Sequence, residues 1–207
     1  RAALDSLLRQ AGLRTGVYTS PHLLTYNERV IVDGEPVSDR QLCDAFARID
    51  LARAEISLTY FEFGTLAAMY LFQQAQLDAW VLEVGLGGRL DAVNIIDADV
   101  AVVTSIGLDH QEFLGDTRDS VGFEKAGILR EHKPLVSSET DLPSSVLAAI
   151  ARLHVPVRQR GSDYGWKQEN DGWSIWGMDA GLAKRRIEGL PTVNLPQDNL
   201  ATALAAF

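Results

Sequence analysis

The stretch from Ala79 to Asn94 reads AWVLEVGLGGRLDAVN, in which an apolar run ends on a single carboxylate, Glu83. Three glycines follow within four residues, so the chain after this carboxylate carries few side chains. Glycines let backbone N–H groups approach a ligand closely, and they tolerate positive φ. The alternative is an ordinary tight turn after a strand, with the charge of Glu83 neutralised by an ion pair, for example with Arg89. The pattern alone leaves both interpretations open.

This glycine stretch matches neither of the two common nucleotide-binding fingerprints. Leu90 stands where the G-x-G-x-x-G/A pattern of dinucleotide-binding proteins needs a small residue. No Gly-Lys-Ser/Thr sequence follows, so the stretch is not a Walker A loop either. Neither motif therefore indicates a ligand-binding role for these glycines, and such a role would depend on the residues around them.

Two other predicted strand ends carry polar side chains. Ser20 closes a predicted strand at 15–20, and His110 follows a predicted strand at 99–106. Ligands of parallel α/β sheets bind outside the carboxyl ends of the strands. A hydroxyl, a carboxylate and an imidazole at neighbouring strand ends could therefore bind a divalent ion. A single histidine is more often an ordinary surface or core residue, and no G-x-S-x-G motif supports hydrolase chemistry.

Lys125 lies in the segment FEKAGIL, on the apolar side of a predicted helix. Lysine is rarely buried without a partner, and the ordinary alternative is a lysine whose charged end reaches water. Burial lowers the pKa of a lysine, and the neutral amine can then react with carbon dioxide. The functional interpretations are a cation for phosphate or a carbamate that would suit a metal site.

The elements that would position these residues alternate between helix and strand. The 78–84 and 99–106 strands are continuous apolar runs, which is typical of a parallel sheet covered on both faces. The sequence therefore predicts an α/β fold, with a mostly parallel doubly wound sheet flanked by helices. Further strands are predicted at 133–138 and 155–160, and helices at 1–11, 39–54, 60–76, 117–130 and 143–153.

Aromatic residues mark two further regions. Three of the four tryptophans surround Asp171-Gly172, which predicts an antiparallel hairpin at the sheet edge. In TYFEF, Tyr60 and Phe63 are expected in the core, whereas Phe61 could pack in the core or flank a flat ring.

Composition excludes several classes of protein. The 207 residues carry a net charge of −9, which argues against a general nucleic-acid binder. The single cysteine, Cys43, cannot form an intrachain disulfide and fits a reducing, cytoplasmic compartment. No apolar run is long enough for a transmembrane helix. Because both ends fall inside predicted helices, we expect a fragment of a longer protein.

Five segments, taken together and in order, resemble the folylpolyglutamate synthase/dihydrofolate synthase family of the Mur ligase superfamily. The resemblance covers nearly the whole chain and implies a Mur-ligase-like central ATP-binding domain over residues 1–207. It also implies a phosphate-binding loop upstream of Arg1 and a further domain after Phe207. The segments are YTSPHLLTYNERV, SLTYFEFGTLAA, VLEVGLGGRLDAVN, VTSIGLDHQEFLG and FEKAGI.

The same resemblance implies roles for individual residues. Ser20, Glu83 and His110 would be magnesium ligands, with Glu83 and His110 acting in catalysis. Lys125 would be the catalytic lysine carried as a carbamate. Val93 stands where the family pattern leads us to expect a small hydroxyl residue. The implied contacts are Thr59, Phe61, Leu90, Asp91 and Ala92 with the substrate, and Asn199 with ATP.

The activity that the resemblance implies is an ATP-dependent ligase. It would add L-glutamate to dihydropteroate and to folates through an acyl phosphate, using ATP and Mg²⁺. We expect a cytoplasmic monomer with no nucleic-acid or membrane partner, and little or no ligase activity from the fragment alone. The alternatives are a Mur-type amino-acid ligase and a non-catalytic nucleotide-binding fragment.

Overall fold

A computed structural model describes residues 1–178 and 183–207 of the chain. Contacts divide the chain into two compact units, Arg1–Leu86 with Leu90–Ile96, and Gly87–Arg89 with Asp97–Phe207. Within the described ranges, no helix is long and apolar enough to cross a membrane. The extent of the predicted ATP-binding domain stays a prediction.

The first unit is built on a four-stranded sheet in the order β3-β2-β1-β4. β1 pairs parallel with β4, and it pairs antiparallel with β2 on its other side. β2 and β3 pair antiparallel and form a hairpin whose turn contains Asp33-Gly34. The elements are α1 (Ala2–Gln10), β1 (Thr15–Tyr18), a 3₁₀ helix (Tyr26–Arg29), β2 (Val30–Val32), β3 (Glu35–Pro36), α2 (Asp39–Arg53), α3 (Tyr60–Ala75), β4 (Ala79–Leu82) and a second 3₁₀ helix (Ala92–Ile95).

Capping residues fix where the two long helices of the first unit begin. The Ser38 side chain accepts a hydrogen bond from Gln41 N at the start of α2, and Thr59 accepts one from Glu62 N at the start of α3. In turn, the side chain of Gln41 accepts a hydrogen bond from Ser38 N, and that of Glu62 accepts one from Thr59 N. Each cap therefore satisfies two backbone donors. The two helices pack against each other and share a core with the sheet that includes Tyr18 and Phe72.

The second unit contains a parallel sheet in the order β5-β6-β7, as the apolar runs predict. Leu135 and Val136 are neighbours in β6 and are both buried, but they belong to different apolar clusters. Both faces of this sheet are therefore covered, which confirms the interpretation of the 99–106 run. The 78–84 run forms β4 instead, an edge strand of the first unit's mixed sheet whose residues are partly buried. The elements are β5 (Ala101–Val103), α4 (Gln111–Leu114), α5 (Arg118–Ala126), β6 (Leu135–Ser137), α6 (Ser144–Arg152), β7 (Val157–Gln159), β8 (Tyr164–Glu169), β9 (Gly172–Met178), β10 (Lys184–Leu190) and α7 (Gln197–Ala206).

The tryptophan-rich hairpin is present and belongs to a three-stranded antiparallel sheet, β10-β9-β8. Trp173 is buried, and its ring nitrogen donates to the carbonyl of Pro191 at 3.1 Å. The third strand, β10, was not predicted because KRRIEGL carries four charged residues and is exposed along most of its length. Sequence periodicity gives little signal in such a strand.

Tyr60 does not lie in the core, and the expectation that it would is wrong. The residue is 65% exposed because it is the first residue of α3, where its ring meets Tyr26 edge-on at 5.9 Å. Phe63 is partly buried and packs against Phe46, with ring centroids 5.5 Å apart.

We expect Phe72→Ala in the intact protein to lower the free energy of unfolding by about 3–5 kcal/mol, because the substitution leaves a cavity in the core of the first unit. The side chain of Phe72 is fully buried. Leu51→Ala, at an exposed position of α2, is the matched control and should change stability by less than about 0.5 kcal/mol. Chemical denaturation measures both values, and equal effects would contradict the assigned core.

Candidate active site at the carboxyl edge of the sheet

Ser20 and Glu83 lie together because β1 and β4 are parallel neighbours. Each follows the carboxyl end of its strand, and Glu83 N still bonds to Tyr18 O at 2.9 Å. The backbone N–H of Ser20 donates to Glu83 Oε2 at 2.9 Å. The predicted convergence of these two residues is therefore present in the structure.

Glu83 also forms an ion pair, but its partner is Arg1. The alternative partner suggested by the sequence, Arg89, instead binds Glu124 at 2.9 Å and approaches both carboxylate oxygens. The Glu83 side chain keeps 29% of its surface exposed, so the carboxylate is not sealed in the interior.

Asp91 fixes the start of the glycine stretch. Its Oδ2 accepts hydrogen bonds from the N–H groups of Gly85 and Leu86, both at 3.0 Å. Its Oδ1 accepts from Val93 N at 2.9 Å, which caps the 3₁₀ helix that follows. Both carboxylate oxygens therefore hold backbone in place, in addition to the substrate contact predicted for this residue.

The glycine at position 85 leaves room for an aromatic ring. A Cβ added there would lie 2.9 Å from Phe61 Cζ, closer than normal carbon contacts. The Phe61 ring in turn lies 6.0 Å from that of Tyr18. In the first unit, Phe61, Gly85 and Asp91 thus form one contiguous group beside the end of β4.

The other residues predicted to contact the substrate are Thr59, Leu90 and Ala92, which lie next to Phe61 and Asp91 in the sequence. The Thr59 hydroxyl caps α3, so that its best-defined contact is structural. Leu90 is 79% exposed, and Ala92 is partly buried. Val93 is buried in the core of the first unit, which gives a physical reason for an apolar residue at that position.

In the second unit, Gly87 and Gly88 pack closely on α5. Both have positive φ, and a Cβ on Gly88 would lie 2.9 Å from Glu124 O. Arg89 N also donates to Glu124 O at 2.8 Å. The glycines at these two positions are therefore required by backbone conformation and close approach.

Lys125 is half-buried in α5, as its apolar neighbours predict. Burial lowers the pKa of Lys125, and the negative charge of Asp109 acts in the opposite direction. His110 sits in a left-handed conformation before α4, and its side chain is 58% exposed. Positive φ is uncommon in a non-glycine residue, and five other described non-glycine residues of this chain also have it.

Asn199 is the third residue of α7 and is exposed. The preceding Asp198 accepts a hydrogen bond from Trp166 Nε1 at 2.7 Å and pairs with Arg160 at 3.3 Å. The predicted ATP contact of Asn199 stays a prediction.

The metal-ligand set also stays a prediction. Across residues 1–178 and 183–207, no cluster of three or more histidine, cysteine or acidic side chains is suited to holding a metal ion. Ser20 and Glu83 lie in the first unit, and His110 lies in the second.

Sequence reasoning missed the role of Glu28. Its carboxylate accepts hydrogen bonds from the backbone N–H groups of Leu23, Leu24 and Thr25 at 2.7–2.8 Å, which orders the segment after Ser20. These bonds lower the pKa of Glu28, the one from Leu23 most strongly. The pattern Thr25-x-x-Glu28 is a capping-box signature and could have revealed this arrangement.

The Mur ligase middle domain family matches residues 46–165, which is more than half of the chain. The chain therefore belongs to this family. Among curated relatives, the dihydrofolate synthase/folylpolyglutamate synthase of Escherichia coli (strain K12) is 49% identical over 204 residues, covering 99% of this chain and 47% of that protein. The protein of the same name from Haemophilus influenzae is 49% identical over 203 residues, covering 98% and 45%.

Solved structures agree with these relatives. E. coli FolC in complex with DHPP and ADP superposes with a TM-score of 0.92 at 49% identity, covering 99% of this chain and 48% of that one. The bifunctional folylpolyglutamate synthase/dihydrofolate synthase of Yersinia pestis, complexed with AMPPNP and Mn ion, has a TM-score of 0.90 at 50% identity, with the same coverage. The chain thus spans about half the length of the relatives it matches.

We expect Asp91→Ala in the intact protein to loosen the start of the glycine stretch, because three backbone N–H groups lose their acceptor. Hydrogen exchange at Gly85, Leu86 and Val93 should quicken by about tenfold or more. Asp116→Ala removes an exposed carboxylate of the second unit and serves as control. Unchanged protection at Gly85 and Leu86 would contradict the role assigned to Asp91.

Proposed function

We propose that the protein containing this chain is an ATP-dependent ligase that adds L-glutamate to dihydropteroate and to folates. The observation that carries the choice of substrates is the 49% identity, over nearly the whole chain, to the E. coli dihydrofolate synthase/folylpolyglutamate synthase. The contact between Ser20 and Glu83 supports a site at the expected sheet edge.

The oxygen donors at this edge fit a magnesium ion. Mg²⁺ prefers oxygen ligands, keeps several waters, and usually binds one or two carboxylates together with substrate phosphates. Glu83 and Ser20 supply a carboxylate and a hydroxyl, and the partial exposure of Glu83 leaves room for water. The assignment of His110 rests on the sequence resemblance, since an imidazole is an unusual magnesium ligand. The metal would neutralise charge on the phosphates of ATP.

The proposed chemistry overcomes the low reactivity of a carboxylate. The γ-phosphoryl group of ATP is transferred to the carboxylate of the pteroyl substrate, which gives an acyl phosphate and releases ADP. The amino group of glutamate then attacks the acyl carbon, and phosphate leaves. Phosphoryl transfer depends mainly on positioning and charge neutralisation, so this chain's contribution is to hold groups in place. Asp91 and Glu28 do so for two segments beside Glu83.

The Lys125 carbamate is part of the proposal. The lowered pKa of Lys125 favours the neutral amine, whose nitrogen can bond to the carbon of carbon dioxide with release of a proton. The product replaces a cation with an anion in a half-buried setting. Such an anion would favour a nearby metal ion.

We propose a cytoplasmic monomer that acts on small molecules. The net charge of −9 supports the exclusion of nucleic acid as a partner.

A Mur-type amino-acid ligase is the second candidate, because the family match itself covers the middle domain of Mur ligases. The intact protein can be assayed for ADP release with dihydropteroate plus glutamate, and separately with UDP-linked muramyl substrates plus amino acids. We expect turnover with the first pair alone. Turnover with the muramyl substrates and none with dihydropteroate would replace the folate assignment.

We expect Glu83→Gln in the intact protein to lower kcat/KM by at least about a hundredfold, because the metal loses its carboxylate. The glutamine oxygen can still accept the hydrogen bond of Ser20 N, so the melting temperature should stay near that of the wild type. Glu55→Gln, at an exposed position of the same unit, should leave turnover unchanged. Full activity of Glu83→Gln at low magnesium would disprove the assigned role.

We expect a carbamate carbon signal in the ¹³C NMR spectrum of the intact protein equilibrated with ¹³C-bicarbonate. The signal should vanish in Lys125→Arg, because arginine keeps its charge and does not form the carbamate. Lys133→Arg is the control, since Lys133 is ion-paired with Asp99 at 2.7 Å. A signal that survives in Lys125→Arg would assign the modification elsewhere.

A further inference from the structure

The loop that carries His110 is anchored at one buried residue, Ile106. This loop spans residues 104–110, between β5 and α4, and Ile106 is the only buried residue from 104 through 113. Its side chain is 3% exposed and packs in the apolar cluster that also contains Leu114. His110 therefore lies on an exposed stretch between two buried residues, and its position depends on how firmly each of them is held.

Both backbone polar groups of Ile106 are bound by one ion pair. The N–H of Ile106 donates to Glu139 Oε1 at 2.7 Å, and its carbonyl oxygen accepts from Arg118 Nε at 3.2 Å. Arg118 also donates to the second oxygen of Glu139, Oε2, at 3.1 Å. These three contacts close a ring, which we call the Ile106 clamp, made of Ile106, Arg118 and Glu139.

The two charged members of the clamp are fixed by further contacts. The Arg118 guanidinium donates to the carbonyl oxygen of Asp141 at 2.8 Å and to its carboxylate at 3.1 Å. Glu139 N donates to the hydroxyl oxygen of Ser137, the last residue of β6, at 3.1 Å. Because a planar guanidinium holds its acceptors in fixed directions, the clamp links the segments that leave β5 and β6 with a defined geometry.

Arg118 is also the first residue of α5, the helix that carries Lys125. The two residues are about two helical turns apart and lie on the same face of α5. Burial lowers the pKa of Lys125, and the charge of Asp109 acts in the opposite direction, so the loop passes near this lysine. Arg118 therefore joins the loop and the helix that carry two of the predicted site residues.

We propose that Arg118 is a positioning residue, which fixes His110 by clamping the backbone of Ile106. The role of His110 as a magnesium ligand rests on the proposed function, and the clamp adds a means of holding this ligand before the ion binds. Without the clamp, His110 samples more positions, and part of the binding free energy of the metal is used to order the loop. Loss of Arg118 should therefore weaken the binding of a divalent metal.

The direction of the effect separates this role from a simple effect of charge. A guanidinium near a metal site repels the ion, so removal of the positive charge should by itself tighten metal binding. Removal of a positioning residue should weaken metal binding instead. A merely structural role would lower the melting temperature and leave the metal affinity of the folded protein unchanged.

Three variants of the intact protein test the clamp. Arg118→Met removes the charge and every donor but keeps an unbranched apolar stem. Arg118→Lys keeps the charge, but an ammonium group cannot reproduce the planar fork that reaches Ile106 and both carboxylates. Glu139→Gln keeps an oxygen for Ile106 N and loses the negative charge that faces Arg118. Arg152→Met is the matched control, because Arg152 is exposed in the last turn of α6.

The experiment combines two measurements on each variant, and its melting temperature shows whether it folds. Hydrogen exchange at Ile106 and Gly107 reports local opening of the loop. Titration with Mn²⁺ in the presence of AMPPNP, followed by electron paramagnetic resonance of the free ion, gives the dissociation constant of the metal without turnover. Mn²⁺ is a suitable probe because it favours the same kinds of oxygen ligand as Mg²⁺.

We expect Arg118→Met to speed exchange at Ile106 by about tenfold or more, and to raise the Mn²⁺ dissociation constant by about tenfold. Arg118→Lys should stay closer to Arg118→Met than to the wild type in both measurements. Adding Glu139→Gln to Arg118→Met should weaken metal binding further by less than about twofold, because both changes break the same ring. Arg152→Met should stay within about twofold of the wild type.

If Arg118→Met folds and binds Mn²⁺ as tightly as the wild type, or more tightly, the clamp does not position His110. If Arg118→Met does not fold, Arg118→Lys and Glu139→Gln give the same decision. The proposed function is tested separately by ADP release with dihydropteroate and glutamate. A wild type that binds Mn²⁺ and AMPPNP without this turnover would overturn the folate assignment, while the Mn²⁺ dissociation constants would still decide the role of the clamp.

Discussion

The parallel pairing of β1 with β4 is the constraint on which the candidate site depends. Parallel neighbours end at the same edge of a sheet, so residues 20 and 83 meet although 63 positions separate them. The antiparallel β2 then starts where β1 ends, which brings position 29 to this edge as well. One sheet register thus brings positions 20, 29 and 83, from two distant parts of the sequence, to the same edge.

Irregular segments at this edge are held by carboxylates that accept backbone hydrogen bonds. Asp91 and Glu28 each accept three N–H groups of nearby residues. Such bonds replace the ladder that a strand or helix would provide, so the segments have fixed conformations without regular secondary structure. No buried side-chain nitrogen or oxygen among the described residues lacks a hydrogen-bond partner. Hydrogen bonding of the buried polar side-chain atoms is therefore complete in the part of the chain that the structure describes.

Periodicity was sufficient to predict most of the fold, because apolar runs and capping residues are local signals. Strand ends were less accurate: the strand predicted at 99–106 spans only Ala101–Val103. The meeting of Ser20 and Glu83 followed from the parallel-sheet rule alone. The Glu83 partner and the Ile106 clamp could not be predicted, since both depend on which side chains pack together in space. The roles predicted for residues away from this sheet edge came from the family resemblance, because sequence spacing does not reveal which ligand a residue contacts.

The ring of Phe61 fills the space that a side chain at position 85 would need. A methyl group at position 85 would sit 2.9 Å from the outer carbon of the ring at position 61. Phe61 lies in the first turn of α3, and the N–H of Gly85 is bound by Asp91. These positions therefore cannot drift independently during evolution. A relative that carries alanine at 85 should carry a smaller side chain at 61, and an engineered change of ring size should be made at both positions together.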